Sequence, residues 1–119
     1  MTITKSYASL LVADMALGEA WYTKLLGRGP DRRPMPTLLH WELFDGGGLM
    51  LSSSEEIAAP GALFLYVEDL AAERRRLGDA GIILGDVIEG DYSMLARVRD
   101  LDGNLVTFAS PPSRPFPPA

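Results

Sequence analysis

The sequence repeats itself once, and this repetition constrains the fold more than any other feature of the chain. Four features recur at one displacement of 55 positions. The matched pairs are Leu10 and Leu65, Asp14 and Asp69, Asp45 and Asp100, and Gly48 and Gly103. Because half of this 119-residue chain is too small to bury a core well, we expect two copies of one unit to pack together as a single domain.

Each half is interpreted as a strand, a helix and three further strands, the pattern βαβββ. In the first half, apolar residues at strand spacing predict strands at 5–12, 38–44 and 49–52, and helical spacing predicts a helix over 15–26. Residues 28–36 hold three prolines and three arginines and are predicted to form a loop. The second half is predicted to contain strands at 62–67, 82–88, 94–99 and 105–109 and a helix from 69 to about 80.

The expected fold class is α+β. Two tandem βαβββ modules, at about 5–53 and 62–110, are expected to form a cupped mixed sheet with the helices on its outer face. Residues 1–110 then make one domain. The proline-rich residues 111–119 cannot join a sheet and are predicted to form a flexible tail.

The sequence also marks the ends and the buried faces of both helices. Asp14 and Asp69 are placed to act as N-caps, because a carboxylate accepts hydrogen bonds from the unpaired amides of a first turn. Gly27 and Gly81 are placed to end the helices in a left-handed conformation. The side chains predicted to be buried are Leu17, Trp21 and Leu25 in the first helix and Leu70 and Leu77 in the second.

Composition excludes several classes of function. The formal net charge of −5 argues against nucleic acid and anionic membranes as partners. The absence of cysteine excludes a disulfide framework, a thiol nucleophile and a cysteine-based metal site. No apolar stretch is long enough to span a bilayer, and the N-terminus carries no apolar leader pattern, so a cytoplasmic location is expected.

Since alternate residues of a strand point to opposite sides, the duplication assigns the two sheet faces twice. Sets such as Leu39, Trp41 and Leu43 are apolar in both halves and are expected to face the helices. The opposite face is mixed, and aromatic walls with a few polar groups are typical of a small-ligand site. The predicted ligand-binding residues on this open face are Tyr7, His40, Glu42, Ser52, Phe64, Tyr66, Arg97 and Thr107.

Four motifs resemble one known family. They are Leu11-Val12-Ala13-Asp14-Met15; Trp21-Tyr22 followed by Leu25-Leu26-Gly27; Tyr66-Val67-Glu68-Asp69-Leu70 with Ala80-Gly81; and Arg99-Asp100-Leu101-Asp102-Gly103-Asn104. Together they resemble the vicinal oxygen chelate superfamily, which includes glyoxalase I, extradiol dioxygenases and bleomycin-resistance proteins. The resemblance implies paired βαβββ modules and a homodimer.

The resemblance also implies where a metal would bind, and this chain departs from it there. Metal-dependent members carry a His or Gln seven residues before the first capping Asp, a His seven before the second, and a Glu four after the turn Gly. These positions hold Tyr7, Ala62 and Thr107 here, and Ser52, the expected repeat partner of Thr107, offers only another hydroxyl. A divalent ion prefers imidazole and carboxylate ligands, so neither metal nor cofactor is expected.

Three functions remain open at this point. The first is metal-free sequestration of an aromatic or antibiotic-like molecule, similar to the bleomycin-resistance proteins, in which aromatic rings stack on the ligand and Glu42 pairs with a ligand cation, although Arg97 would favour an anionic group. The second is a lyase, isomerase or dioxygenase-type enzyme of the same superfamily. In that enzyme His40 is the candidate base and Glu42 or Arg97 orients the substrate or stabilises an enolate, or an atypical metal site includes His40 and Glu42. A regulatory module with no small ligand is a third alternative.

Overall fold

The structure is a computed structural model that describes residues 1–56 and 59–112. Most of the predicted tail, 111–119, lies outside the described residues. The elements are β1 (Ser6–Val12), α1 (Met15–Leu26), β2 (Arg32–Met35), β3 (Leu38–Phe44), β4 (Gly47–Ser53), β5 (Ala62–Tyr66), α2 (Leu70–Asp79), β6 (Ile88–Glu89), β7 (Met94–Arg99) and β8 (Leu105–Ser110). The predicted α+β order of two βαβββ modules is therefore confirmed.

Each module forms its own four-stranded mixed sheet, with strand orders β1-β4-β3-β2 and β5-β8-β7-β6. In both, the first strand pairs in parallel with the last, and the remaining pairs are antiparallel. The predicted loop at 28–36 is wrong in part, because Arg32–Met35 pairs with β3 as an edge strand. An edge position tolerates Pro34, which has no N–H to donate. Of the predicted strand at 82–88, only Ile88 is in a strand.

Helix α1 begins and ends where the sequence places it, and it buries Leu25 and part of Trp21 as predicted but leaves Leu17 exposed. The Asp14 carboxylate accepts a hydrogen bond from the Leu17 amide, and Gly27 ends the helix with φ 74°. Leu17 is 57% exposed, and Gly18, Tyr22 and Leu25 are the buried residues. The prediction of Leu17 as a core residue is wrong because Gly18 lets the helix approach Val12, where a Cβ on Gly18 would lie 2.9 Å from the nearest methyl carbon.

The displacement between the modules is not constant along the chain. Asp14 and Asp69 are both N-caps, which confirms the displacement of 55 for the start of each module. In the last strands, however, Ala8 pairs with Leu49 whereas Leu63 pairs with Val106, a displacement of 57. The repeat partner of Thr107 is consequently Met50, and the prediction of Ser52 is wrong by two residues. A shift of two preserves the face of each side chain, so the assignment of faces stands.

One core joins both modules, and a turn of the second module fastens them together. Buried side chains from both sheets and both helices form a single cluster. The Asp100 carboxylate is 8% exposed and accepts a hydrogen bond of 2.7 Å from the Tyr22 hydroxyl of α1. Asn104 donates to the Leu11 carbonyl and accepts from the Gly61 amide. The motif at 99–104 therefore stabilises the contact between modules. Across the described residues, neither helix has the length and apolar character to cross a membrane.

Candidate functional site

Both sheets carry their helices on one side and leave the other side uncovered by helices. We call the uncovered side of the first sheet the first open face. Its strands align in three rows across β1, β4 and β3: Tyr7, Gly48 and Glu42; Ser9, Met50 and His40; and Leu11, Ser52 and Leu38. Gly48 lies between Tyr7 and Glu42 in its row, and the Tyr7 hydroxyl reaches across it to the Glu42 carboxylate.

The Glu42 carboxylate already has a hydrogen-bond donor and a cationic partner on the first open face. The Tyr7 hydroxyl lies 2.8 and 2.7 Å from the two carboxylate oxygens, and the Arg32 guanidinium forms an ion pair with the same group. The Tyr7 hydrogen bond, and then Arg32, hold the pKa of Glu42 below its usual value. Asp31 accepts a hydrogen bond of 2.6 Å from the Glu42 amide, which lowers the pKa of Asp31. Glu42 is thus poorly placed to pair with a ligand cation.

The lowered pKa of Glu42 makes stability depend on pH. The stabilisation that ionised Glu42 contributes is complete above pH 4.5, the ordinary pKa of a Glu side chain. It is lost as the pH falls below 4.5 and passes through the lowered pKa of Glu42 in the folded state. We expect the free energy of unfolding of Glu42→Gln to fall less than that of the wild type between about pH 6 and about pH 3 in urea titrations. Asp31 titrates in both proteins, so the difference isolates Glu42. Parallel pH profiles would contradict this assignment.

His40 lies beside this network and contributes no hydrogen bond to it. Its ring centroid is 5.5 Å from that of Tyr7, and its backbone pairs with Arg32 on one side and Met50 on the other. Both ring nitrogens are buried without a hydrogen-bond partner. An unpaired buried polar atom costs about 1–3 kcal/mol. His40 is accordingly a buried polar group of this face to which the described residues offer no hydrogen-bond partner.

We call the corresponding side of the second sheet the second open face. Its rows across β5, β8 and β7 are Ala62, Leu105 and Arg99; Phe64, Thr107 and Arg97; and Tyr66, Ala109 and Leu95. Phe64 and Tyr66 are 54% and 69% exposed, with ring centroids 5.3 Å apart. Thr107 is only 6% exposed, since it lies in the row between Phe64 and Arg97.

The structure brings the predicted site residues together in two groups. Tyr7 contacts both His40 and Glu42, whereas Ser52 lies one row beyond Met50, at the end of the first open face. Phe64, Tyr66, Arg97 and Thr107 lie on the second open face. Within residues 1–56 and 59–112, no hydrogen bond, ion pair or ring contact joins the two groups.

Sequence reasoning missed Arg32 and Asp31, which complete the first open face. Both were placed in a loop because prolines surround them. The available signal was their charge: two arginines and an acid precede a strand that carries Glu42, and opposite charges on neighbouring strands attract. Arg28 adds a further contact, since it donates to the Glu42 carbonyl and pairs with Asp31 at 2.7 Å.

The residues at the superfamily's metal positions do not suit a metal ion. Ala62 has no donor atom, and Met50, the structural counterpart of Thr107, offers a thioether. The Tyr7 hydroxyl is engaged as a donor to Glu42. Hard divalent ions prefer carboxylate and imidazole ligands to these groups. In the described part of the chain, no cluster of three or more His, Cys, Asp or Glu side chains is placed to hold a metal ion.

A groove of about 190 Å³ lies between the two helices and extends to Tyr66, a residue of the second open face. Leu25 and Leu26 of α1 form one wall, and Glu73 and Arg76 of α2 form the other. Arg76 donates to the carbonyls of Lys24 and Leu25 at 2.9 and 2.6 Å. The groove thus lies where α2 binds the C-terminal end of α1, and its polar rim already has internal partners.

Comparison with known proteins assigns the fold. A glyoxalase / bleomycin resistance protein from Catenulispora Acidiphila DSM 44928 matches with a TM-score of 0.83 and 28% identity, over 91% of this chain and 98% of that one. A lactoylglutathione lyase from Agrobacterium tumefaciens gives 0.73 at 18% identity, over 87% and 90%. A bleomycin resistance determinant encoded on transposon Tn5 gives 0.72 at 18% identity, over 90% and 97%. No protein-family model and no curated protein matches the sequence.

Proposed function

Since this chain belongs by fold to the glyoxalase and bleomycin-resistance proteins of the vicinal oxygen chelate superfamily, we propose that it sequesters a small aromatic or antibiotic-like molecule. The ligand lies in a cup that two copies of the chain form together, and no metal takes part. Binding, without a chemical step, is the function. One observation carries the proposal: two aromatic rings stand exposed on a sheet face that no helix covers.

The exposed rings are the principal support for aromatic binding. Phe64 and Tyr66 are two residues apart on β5 and therefore share a face, where their rings contact each other. Large side chains of this kind are usually buried unless a ligand or partner covers them. A stacked aromatic contact contributes about 0.5–1.5 kcal/mol beyond burial, so two rings provide useful affinity for a planar ligand.

The separation of the two open faces supports the proposed homodimer. Each face alone is a shallow surface, whereas a small-ligand site buries most of its ligand. A two-fold arrangement brings the first open face of one copy opposite the second open face of the other and makes two equivalent cups. The polar groups of one face then complement the aromatic rings of the other.

A thermal-shift screen with bleomycin-like and other aromatic compounds tests this function. We expect at least one compound to raise the melting temperature at micromolar concentration. Phe64→Ala and Tyr66→Ala are each expected to weaken the binding of that compound by about tenfold, since stacking and burial are both lost. Leu17→Ala removes a comparably exposed apolar side chain from the outer surface of α1 and is expected to have no effect.

Two results would contradict sequestration. In the first, no compound binds and metal analysis finds one tightly bound divalent ion per chain, which favours a lyase. In the second, a compound binds equally well to the wild type and to both aromatic variants. If the purified protein sediments as a monomer at micromolar concentration, the proposal that two chains form the cup is wrong.

A second candidate function, an isomerase or lyase acting next to a carbonyl, is favoured by His40 alone. Its two ring nitrogens are buried and unpaired beside a tyrosine, and an imidazole in that state is available to take a proton. The Arg32–Glu42 pair and Tyr7 supply neighbouring groups that can orient a substrate. A His40→Ala variant that binds ligand normally and loses turnover would identify this enzyme.

A further inference from the structure

We propose that the second open face recognises an aromatic anion: the ring system of the ligand stacks on Phe64 and Tyr66, and its anionic group binds Arg97 above Thr107. This inference rests on the proposed function and narrows its ligand class. The opposite ligand, an aromatic cation paired with Glu42, is the alternative that the sequence alone left open.

The rows of the sheet place these groups at a suitable spacing. Phe64, Thr107 and Arg97 are directly paired neighbours on three adjacent strands. Adjacent strands lie about 4.8 Å apart, so the aromatic and guanidinium side chains arise about 10 Å apart on either side of a small residue. The next row has Ala109 between Tyr66 and Leu95. Small central residues between larger outer ones make a shallow trough, whose floor at Thr107 and Ala109 is covered and whose exposed wall carries Phe64 and Tyr66.

Arg97 is the unpaired cation of this trough. The residue is exposed, and its side chain makes no hydrogen bond or ion pair with any residue in 1–56 or 59–112. Arg99, one row away, instead donates to the Gly103 carbonyl at 2.8 Å. A guanidinium binds a carboxylate, phosphate or sulfonate through paired N–H groups, and nearby apolar surface strengthens that interaction.

No carboxylate on the trough strands competes for Arg97. Strands β5, β7 and β8 contain no Asp or Glu, although the chain as a whole has a net charge of −5. On the edge strand, Ile88 pairs with Leu95 and shares its face, so Glu89 points to the opposite side of the sheet. The trough is therefore a local positive surface on an acidic protein.

The first open face differs in this respect. His40 occupies the position that corresponds to Arg97, because it pairs with Met50 as Arg97 pairs with Thr107. The three rows of the first open face hold one carboxylate, Glu42, which Tyr7 and Arg32 already bind. Displacing Arg32 to admit a ligand cation would break an existing ion pair, whereas an anion at Arg97 breaks none. The charges of the two faces together favour an anionic ligand.

Two fluorescent probes that differ by one charged group test the inference. Anilinonaphthalene sulfonate is an aromatic anion, and N-phenyl-1-naphthylamine has the same ring system without the sulfonate. We expect the wild type to bind the sulfonate more tightly than the neutral probe. Arg97→Gln is expected to weaken binding of the sulfonate by about tenfold and to leave binding of the neutral probe unchanged. Arg75→Gln removes another exposed arginine, from α2 on the helical side, whose side chain also has no partner in the described part of the chain, and it is expected to change the binding of neither probe.

The remaining outcomes separate the two proposals. If Arg97→Gln leaves the binding of both probes unchanged while Phe64→Ala and Tyr66→Ala weaken the binding of both, the proposed aromatic site is supported and the inference of anion recognition is wrong. The same conclusion follows if Arg75→Gln weakens the sulfonate as much as Arg97→Gln does, because net charge then explains the effect. If neither probe binds, or if no open-face variant alters binding, the proposed function and the inference that rests on it are both wrong.

Discussion

Replacing Asp100 with Ala is expected to lower the free energy of unfolding by about 3–5 kcal/mol, a large fraction of the stability of a single domain. The carboxylate accepts hydrogen bonds from the Tyr22 hydroxyl, from the backbone amides of Asp102 and Asn104, and from the Asn104 side chain, all at 2.7 to 2.9 Å. Burial, reinforced by Asp100, raises the pKa of Tyr22 far above its usual range, so its hydroxyl remains a donor. Alanine leaves these donors without an acceptor.

Urea unfolding of Asp100→Ala and Asp45→Ala measures this effect against a matched control. Asp45 is the acidic residue of the first module's turn, and it is exposed and makes no side-chain hydrogen bond within the described residues. Its replacement is expected to change stability by less than about 0.5 kcal/mol. Equal losses for the two variants would contradict the view that Asp100 fastens the modules together.

Gly48→Ala is expected to destabilise the protein by about 3 kcal/mol or more. Its Cβ would lie 1.9 Å from the Trp41 carbonyl oxygen and 2.8 Å from the Leu43 amide nitrogen, so the backbone of β3 or β4 must move. The two strands change register immediately beyond this point, between Glu42 and Phe44. Gly48 also lies between Tyr7 and Glu42, so the variant is expected to disturb their hydrogen bond.

Gly78→Ala is the matched control for Gly48→Ala and is expected to act in the opposite direction. A Cβ at Gly78 meets no atom within 4 Å, and the residue lies in helix α2. Alanine there is expected to stabilise the protein by about 0.5–1 kcal/mol, because glycine is a poor helix former. Denaturation midpoints that move in the same direction in the two variants would show that the close approach at Gly48 is not the cause.

Local signals in the sequence predicted most of the fold. The N-caps Asp14 and Asp69 and the left-handed Gly27 act locally, and the structure places each as predicted. The two sheet faces were assigned correctly even though the displacement of the last strands was wrong by two residues, since side chains alternate with a period of two. An error of one residue would have exchanged the core and the open faces.

The errors arise where a feature depends on tertiary contacts. The buried face of α1 is set by Gly18 against Val12 and by the bond from Tyr22 to Asp100, and an apolar pattern registers neither a glycine nor a distant carboxylate. The edge strand that carries Arg32 exists because β3 is available to pair with it. For the same reason the sequence could not show that the Glu42 side chain has internal partners, whereas the Arg97 side chain has none among the described residues.

The most direct test of the central claim, that a ligand binds on the open sheet faces, is to map the contact by NMR. Amide chemical shifts are recorded while anilinonaphthalene sulfonate is added to the isotope-labelled protein. We expect the largest changes at Phe64, Tyr66, Arg97 and Thr107 and smaller ones at facing residues of the first open face. Changes concentrated instead at Leu25, Leu26 and Arg76, around the groove between the helices, would contradict the claim.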